Sequence, residues 1–228
     1  MRVFAIADPH LSRAAPKPMD IFGAHWEGHP AVFFERWREV VTPEDLVLIP
    51  GDISWAMKLD DALFDLHDLA ALPGQKVLLR GNHDYWWPSI SRLRAALPPG
   101  MYALQNDALK FGAVVVAGTR GWLCPGSSEF GPEDERIYQR ELQRLKLSLQ
   151  AARKLGGETL LVMLHFPPTN LRLEPSGFTE LLLEYCPDHL LFGHLHGDDG
   201  RRVIQTLGNI AVHFVAADAL SFTPKRII

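Results

Sequence analysis

Short unbroken apolar runs, each stopping at a polar cluster, alternate along this chain with segments in which apolar residues recur every three or four positions. The runs are Val3-Phe4-Ala5-Ile6-Ala7, Leu46-Val47-Leu48-Ile49, the stretch from Val77 through Leu78-Leu79, Leu160-Leu161-Val162-Met163-Leu164 and Leu190-Leu191-Phe192. Runs of that length bounded by glycine, proline or polar residues predict strands buried on both faces. Between them, Phe33, Phe34, Trp37, Val40 and Val41, and then Leu59, Leu63, Leu66 and Ala70, fall at helical spacing, with Pro73-Gly74 as a stop. A βαβαβ alternation with a largely parallel sheet follows.

Beyond it, Pro88 opens a helix that reaches about Leu97, where Pro98-Pro99-Gly100 ends it. Residues 101–105, 108–111 and 113–119 read as short strands joined by Asn106-Asp107 and Gly112, hence hairpin-connected and partly antiparallel. Pro132 begins the longest helix, with Glu133, Asp134 and Glu135 in its first turn. Its stripe of Tyr138, Leu142, Leu145, Leu149 and Ala152 faces a core, and Gly156-Gly157 stops it. Arg136, Arg140 and Arg144 line another face, read as solvated. A helix over 178–185 and strands over 203–206 and 210–216 complete the pattern. Residues 11–30 have no period, carry Phe22, His25, Trp26 and His29 among prolines and glycines, and read as an ordered loop or lid over a site. Without repeats or a low-complexity linker, 1–228 reads as one domain.

Composition narrows the classes. The 23 basic and 27 acidic residues leave a formal charge of −4, so no global positive field draws nucleic acid or an anionic membrane. Two cysteines, and no secretory leader ahead of Val3, point to a reducing, cytoplasmic setting. No apolar run approaches the roughly 20 residues that span a bilayer.

The polar clusters carry the chemistry. Past the five runs stand Asp8 and His10, Asp52, then Asn82, His83 and Asp84, then His165, then His194 and His196. Open α/β sheets bind ligands at the carboxyl ends of their strands, so these side chains are expected to converge. Oxygen and imidazole donors without thiolate suit Mn²⁺, Fe, Zn²⁺ or Ni²⁺ and argue against a structural zinc site or a calcium cage. There are more donors than one ion takes, and a carboxylate such as Asp52 can bridge two ions about 3.5 to 4 Å apart. Singly, each histidine or aspartate is more simply a capping or hydrogen-bonded residue; five strand ends with ligand chemistry are not.

Asp8-x-His10, Gly51-Asp52, Gly81-Asn82-His83-Asp84, an isolated His165 and Gly193-His194-Leu195-His196 resemble, in order, the motifs of the calcineurin-like metallophosphoesterase superfamily, in a bacterial branch. The resemblance implies a mixed α/β fold, a four-layer αββα sandwich with two mixed sheets and the metal site at strand carboxyl ends. It also implies roles: Asp8, His10 and His196 on one metal, Asn82, His165 and His194 on the other, and Asp52 on both. His83 would deliver the proton to the leaving oxygen, with Asp84 orienting its ring.

Two cations, Mn²⁺ foremost, would neutralise phosphoryl charge and acidify a water from a pKa of about 15.7 toward roughly 7. His83 is the side-chain type suited to protonate a departing alkoxide. The superfamily's protein Ser/Thr phosphatases follow the second motif with Asp-Arg-Gly and end the third in glutamate; here stand Ile53-Ser54-Trp55 and Asp84. The missing arginine disfavours phosphoproteins and leaves small diesters, for whose esterified groups Trp55, Trp86 and Trp87 are available as walls, although packing is the simpler reading of Trp86 and Trp87. The expected activity is that of a phosphodiesterase on a small phosphoester. The alternatives are a phosphomonoesterase or pyrophosphatase on small nucleotides, and a non-catalytic metal-binding scaffold.

Overall fold

In a computed structural model, which describes residues 1–14, 16–197 and 199–228, two mixed β-sheets and, among the described residues, five α-helices form a mixed α/β fold. Contacts fall into two compact units, Met1–Ala103 with Val215–Ile228, and Leu104–Phe214.

The first unit begins with β1 (Val3–Ala5), followed by α1 (His29–Val40), β2 (Leu46–Pro50), α2 (Leu59–Ala70), β3 (Gln75–Leu79), α3 (Ile90–Ala96) and β4 (Met101–Ala103). Its sheet is closed at one edge by the last strand of the chain, β11 (Lys225–Arg226), in the order β11-β1-β2-β3-β4. All neighbours are parallel except β11, which runs antiparallel to β1. Every residue of β2 is buried, as expected for a strand covered on both faces. Phe33 and Trp37 of α1 and Leu66 and Leu69 of α2 are fully buried in the unit's core. The Trp37 indole N–H donates to the Pro73 carbonyl at 3.0 Å, satisfying its polar edge.

The second unit holds β5 (Ala108–Phe111), β6 (Val114–Thr119), α4 (Pro132–Leu155), β7 (Thr159–Leu164), α5 (Gly177–Tyr185), β8 (His189–Phe192), β9 (Thr206–Leu207) and β10 (Ile210–Phe214), with sheet order β5-β6-β7-β8-β10-β9. The central pairs are parallel, and β5 and β9 are antiparallel edges. Tyr138, Leu145, Leu149 and Ala152 of α4 are buried as the stripe predicts. Ser176 caps α5, its hydroxyl accepting from the N–H of Phe178 at 3.1 Å, while Thr179 returns the bond to the Ser176 N–H at 2.8 Å.

Three expectations are corrected. β5 and β6 form the predicted hairpin, but β4 does not join it: α3 carries the chain over so that β4 pairs parallel with β3. A three-residue strand is too short for its pattern to choose a partner. The arginine row of α4 is not simply solvated, because Arg140 and Arg144 flank Glu141, whose buried carboxylate also meets Arg120 and the Thr119 hydroxyl.

The third correction concerns residues 11–30, of which residue 15 lies outside the described ones. Short 3₁₀ turns at Asp20–Phe22 and Ala24–Trp26 organise the segment, and Leu11, Met19, Trp26 and His29 are buried within the first unit's core region. Trp26 packs edge-on against His29 and Phe222. The segment is therefore anchored by Trp26 and His29 rather than carrying them on a free lid, while Ile21, Phe22 and His25 are exposed.

Candidate active site

Past the end of β1 the backbone takes a path that L-residues resist. Asp8 and His10 have φ of +58° and +46°, and Asp52, past the end of β2, has +51°. Such values are uncommon outside glycine and cost about 1–3 kcal/mol each where the surroundings impose them. What imposes them is a ladder that continues beyond the sheet. Asp8 N–H donates to Gly51 O (3.0 Å), His10 N–H to Asp52 O (3.1 Å), Leu11 N–H to Ile53 O (2.9 Å), and Trp55 N–H to Leu11 O (2.9 Å). His29 braces the same loop, with Nε2 3.1 Å from the Pro9 carbonyl and Nδ1 3.2 Å from that of Trp26. Burial lowers its pKa, while those carbonyls favour the charged ring.

Asp52 and the turn after β3 interlock. The His83 N–H donates to Asp52 Oδ1 at 2.8 Å, leaving Asp52 Oδ2 3.9 Å from His10 Nε2 and 4.0 Å from His83 Nε2. Gly81 permits this approach, since a Cβ there would collide with the Asp52 carboxylate and backbone nitrogen. Asn82 stands half-buried in the same turn.

Asp84 is fully buried, and the donors to its oxygens are groups other than the His83 ring. Its Oδ2 accepts from Gly81 N–H (2.7 Å), and its Oδ1 from Ile53 N–H (2.9 Å), Ser54 N–H (3.2 Å) and the Trp86 indole (3.0 Å). Both oxygens are thus committed to stitching the loop after β2 to the turn after β3. Burial pushes its carboxyl up, to about 7, and the charge of Asp52 adds to the push; the backbone N–H donors pull the other way. Four N–H groups pointing at one carboxyl, with no acceptor among them, are the environment of a carboxylate.

In the second unit, His165 follows β7 and is fully buried. Its N–H donates to Arg120 O at 3.0 Å, and its carbonyl accepts from Gly193 N–H at 3.2 Å, which ties the end of β7 to the loop after β8. The His165 and His194 rings lie 5.0 Å apart, and Phe166 packs on His194 at 3.9 Å. His194 too is left-handed, with φ of +71°, and His196 is half-buried.

Within the first unit Asp8, His10, Asp52 and His83 are brought together: one ligand atom of Asp8 lies within 4.8 Å of one on His10 and of one on Asp52. Two carboxylates and an imidazole at that spacing, held by strained backbone, fit a hard or borderline divalent cation. Trp86 and Trp87 are not walls of this site, being 2% and 5% exposed within the unit's core. Trp55 is half-buried and its ring is occupied, stacked at 4.9 Å on His10. Trp55 and His29 thus support the site in ways that no spacing in the sequence signals, since both act through loop contacts.

The sequence profile described as calcineurin-like phosphoesterase matches residues 1–198, and the chain belongs to that family. It is accordingly a metal-dependent phosphoester hydrolase. Among solved structures, the phosphopantetheinyl hydrolase PptH from Mycobacterium tuberculosis is similar, with a TM-score of 0.58 and 13% identity over 100% of this chain and 95% of that one. The protein of unknown function AQ665 from Aquifex aeolicus gives a TM-score of 0.49 and 15% identity over 99% of this chain and 95% of that one. No curated protein matches the chain.

Proposed function

We propose that the chain is a phosphodiesterase acting on small phosphoesters with two divalent ions, Mn²⁺ foremost, and with His83 as the proton donor. The observation that carries the reading is the cluster of Asp8, His10 and Asp52, three donors on backbone driven to positive φ. Family membership and motif order support Asn82, His165, His194 and His196 as the remaining ligands. The chemistry such a pair supplies is neutralisation of phosphoryl charge and a more acidic water.

The chain's own residues do the rest. The His83 N–H pins one oxygen of Asp52, so the other oxygen has a defined direction. The His83 ring is about one-third exposed, with Nε2 4.0 Å from Asp52 Oδ2, and imidazole is the side-chain type suited to protonate a departing oxygen. Asp84 holds the turn that carries His83. Burial pushes the Cys124 thiol up to about 11, which leaves it a poor nucleophile at neutral pH.

The diester preference rests on Ile53-Ser54-Trp55 standing where an arginine would grip a dianion. Measured side by side with Mn²⁺, bis-nitrophenyl phosphate should be cleaved with higher kcat/KM than nitrophenyl phosphate; the reverse order overturns the diesterase reading. Among the described residues no helix is long and apolar enough to cross a membrane, and two free cysteines support a reducing, cytoplasmic setting.

A further inference from the structure

Lys17 lies in the segment that leaves the β1 loop directly after His10. Its N–H donates to Ser12 Oγ at 3.2 Å, and two residues on the buried Met19 accepts the Trp55 indole N–H on its sulfur at 3.2 Å. Held from both sides, the Lys17 ammonium stands 3.4 Å from the centroid of the Trp55 ring. That ring stacks on His10, centroids 4.9 Å apart and planes 20° apart, and lies 4.4 Å from the His83 ring. An ammonium so near the centroid and a near-parallel imidazole cannot share one face without overlap, so the indole lies between them.

The cation is exposed and forms no ion pair among the described residues. A cation–π contact positions an ammonium but leaves its charge and its N–H donors available to an anion. The chain has no arginine directly after Asp52, and Trp55, the third residue after it, is the one that carries Lys17. Reach decides which anion it meets. With an indole between the ammonium and His10, the Lys17 charge is set off from the donor cluster, within reach of the phosphate next to the one held there.

We propose that Lys17, mounted on Trp55, binds a second phosphate group of the substrate, adjacent to the ester that is cut. This role presupposes the phosphoester-hydrolase activity proposed above and adds a substrate class to it: small esters carrying at least two phosphates.

The test uses two nitrophenyl esters of thymidylate, one with a further phosphate on its sugar and one without, cleaved by the full chain reconstituted with Mn²⁺. The wild type should favour the doubly phosphorylated ester in kcat/KM. Lys17→Met, which keeps the apolar stem over the indole, should reduce that preference about tenfold, and Lys17→Arg should restore most of it. An unchanged preference in Lys17→Met overturns the proposal. If the wild type cleaves neither ester, the activity reading fails on its own, and binding still decides the role of Lys17. Inorganic pyrophosphate, followed by tryptophan fluorescence, should then bind Lys17→Met about tenfold more weakly than wild type, and equal affinity overturns it.

Discussion

The two units prepare their donors differently. In the first, Asp84 is surrounded by four N–H groups, Asp52 has one oxygen pinned, and the loops of residues 8–11 and 51–55 are laddered together. In the second, His165 is tied through its backbone to Arg120 and Gly193, and its ring lies against that of His194, on which Phe166 packs. The difference follows from charge. A buried carboxylate is costly unless hydrogen bonds replace its water, whereas a neutral imidazole asks much less. The unit that supplies the acidic donors therefore needs the more elaborate framework, and substitutions in it should have larger and more varied effects.

The largest effect is expected at Asp52. Asp52→Asn keeps an oxygen for the His83 N–H but loses the charge, so activity should fall more than about a thousandfold and bound metal should drop together with it. Elemental analysis after dialysis checks this, and two ions retained per chain would remove Asp52 from the metal site. Next comes His83→Ala, which should retain metal yet lose about 10²- to 10⁴-fold in rate on alkyl esters, and less on nitrophenyl esters whose phenolate leaves unaided. Equal losses across leaving groups would exclude His83 as the proton donor.

Stability effects sharpen the contrast further. Trp26→Ala empties a fully packed site and should cost about 3–5 kcal/mol in denaturant unfolding, where a mobile lid residue would cost almost nothing. Asp84→Asn turns an NH₂ toward a ring of N–H donors and should cost about 1–3 kcal/mol. His165→Asn in the second unit should cost less than Asp84→Asn; the opposite order would break the charge argument.

The smallest effect concerns acid. Arg2, hydrogen-bonded through its guanidinium, together with Thr42, holds Asp45 well below the usual carboxylate range despite burial. A depressed folded-state pKa contributes stability that is present above the unfolded value of about 3.9 and is lost as pH falls through the folded one. The melting-temperature gap between wild type and Asp45→Asn should hold steady above about pH 5 and narrow below about pH 4.

Much of the frame is legible in the residues themselves. β2 and β7 read as strands because a strand covered on both faces has no polar register to confuse the pattern, and the residues after each run are of ligand type because strand ends are where sites are built. What escapes the pattern is whatever depends on partners distant in sequence. The left-handed positions Asp8, His10, Asp52 and His194 are not themselves glycines, so their residue type does not announce them. Lys225 and Arg226 form a strand without an apolar residue, because an edge strand needs only backbone to pair. Glu141 reads as surface charge on α4, and only its neighbours Thr119 and Arg120 explain its burial. Trp26 sits in irregular chain with no period, so nothing local distinguishes a core tryptophan from one on a lid.

The closing edge of the first sheet also sets an order of events during synthesis. Leu104–Phe214 is one uninterrupted stretch, but the first unit waits for Val215–Ile228. Ala7, one residue before Asp8, donates to Val215 O at 2.7 Å and accepts from Ala217 N–H at 2.9 Å, and β11 covers the open side of β1. A ribosome making this chain therefore has the second unit's whole sequence in hand while β1 still shows an unpaired edge. The strand that leads to Asp8 is translated before the second unit and completed only after it, so a nascent chain interrupted before Val215 would keep most of its sheets yet leave the loop of its first acidic donor unbraced.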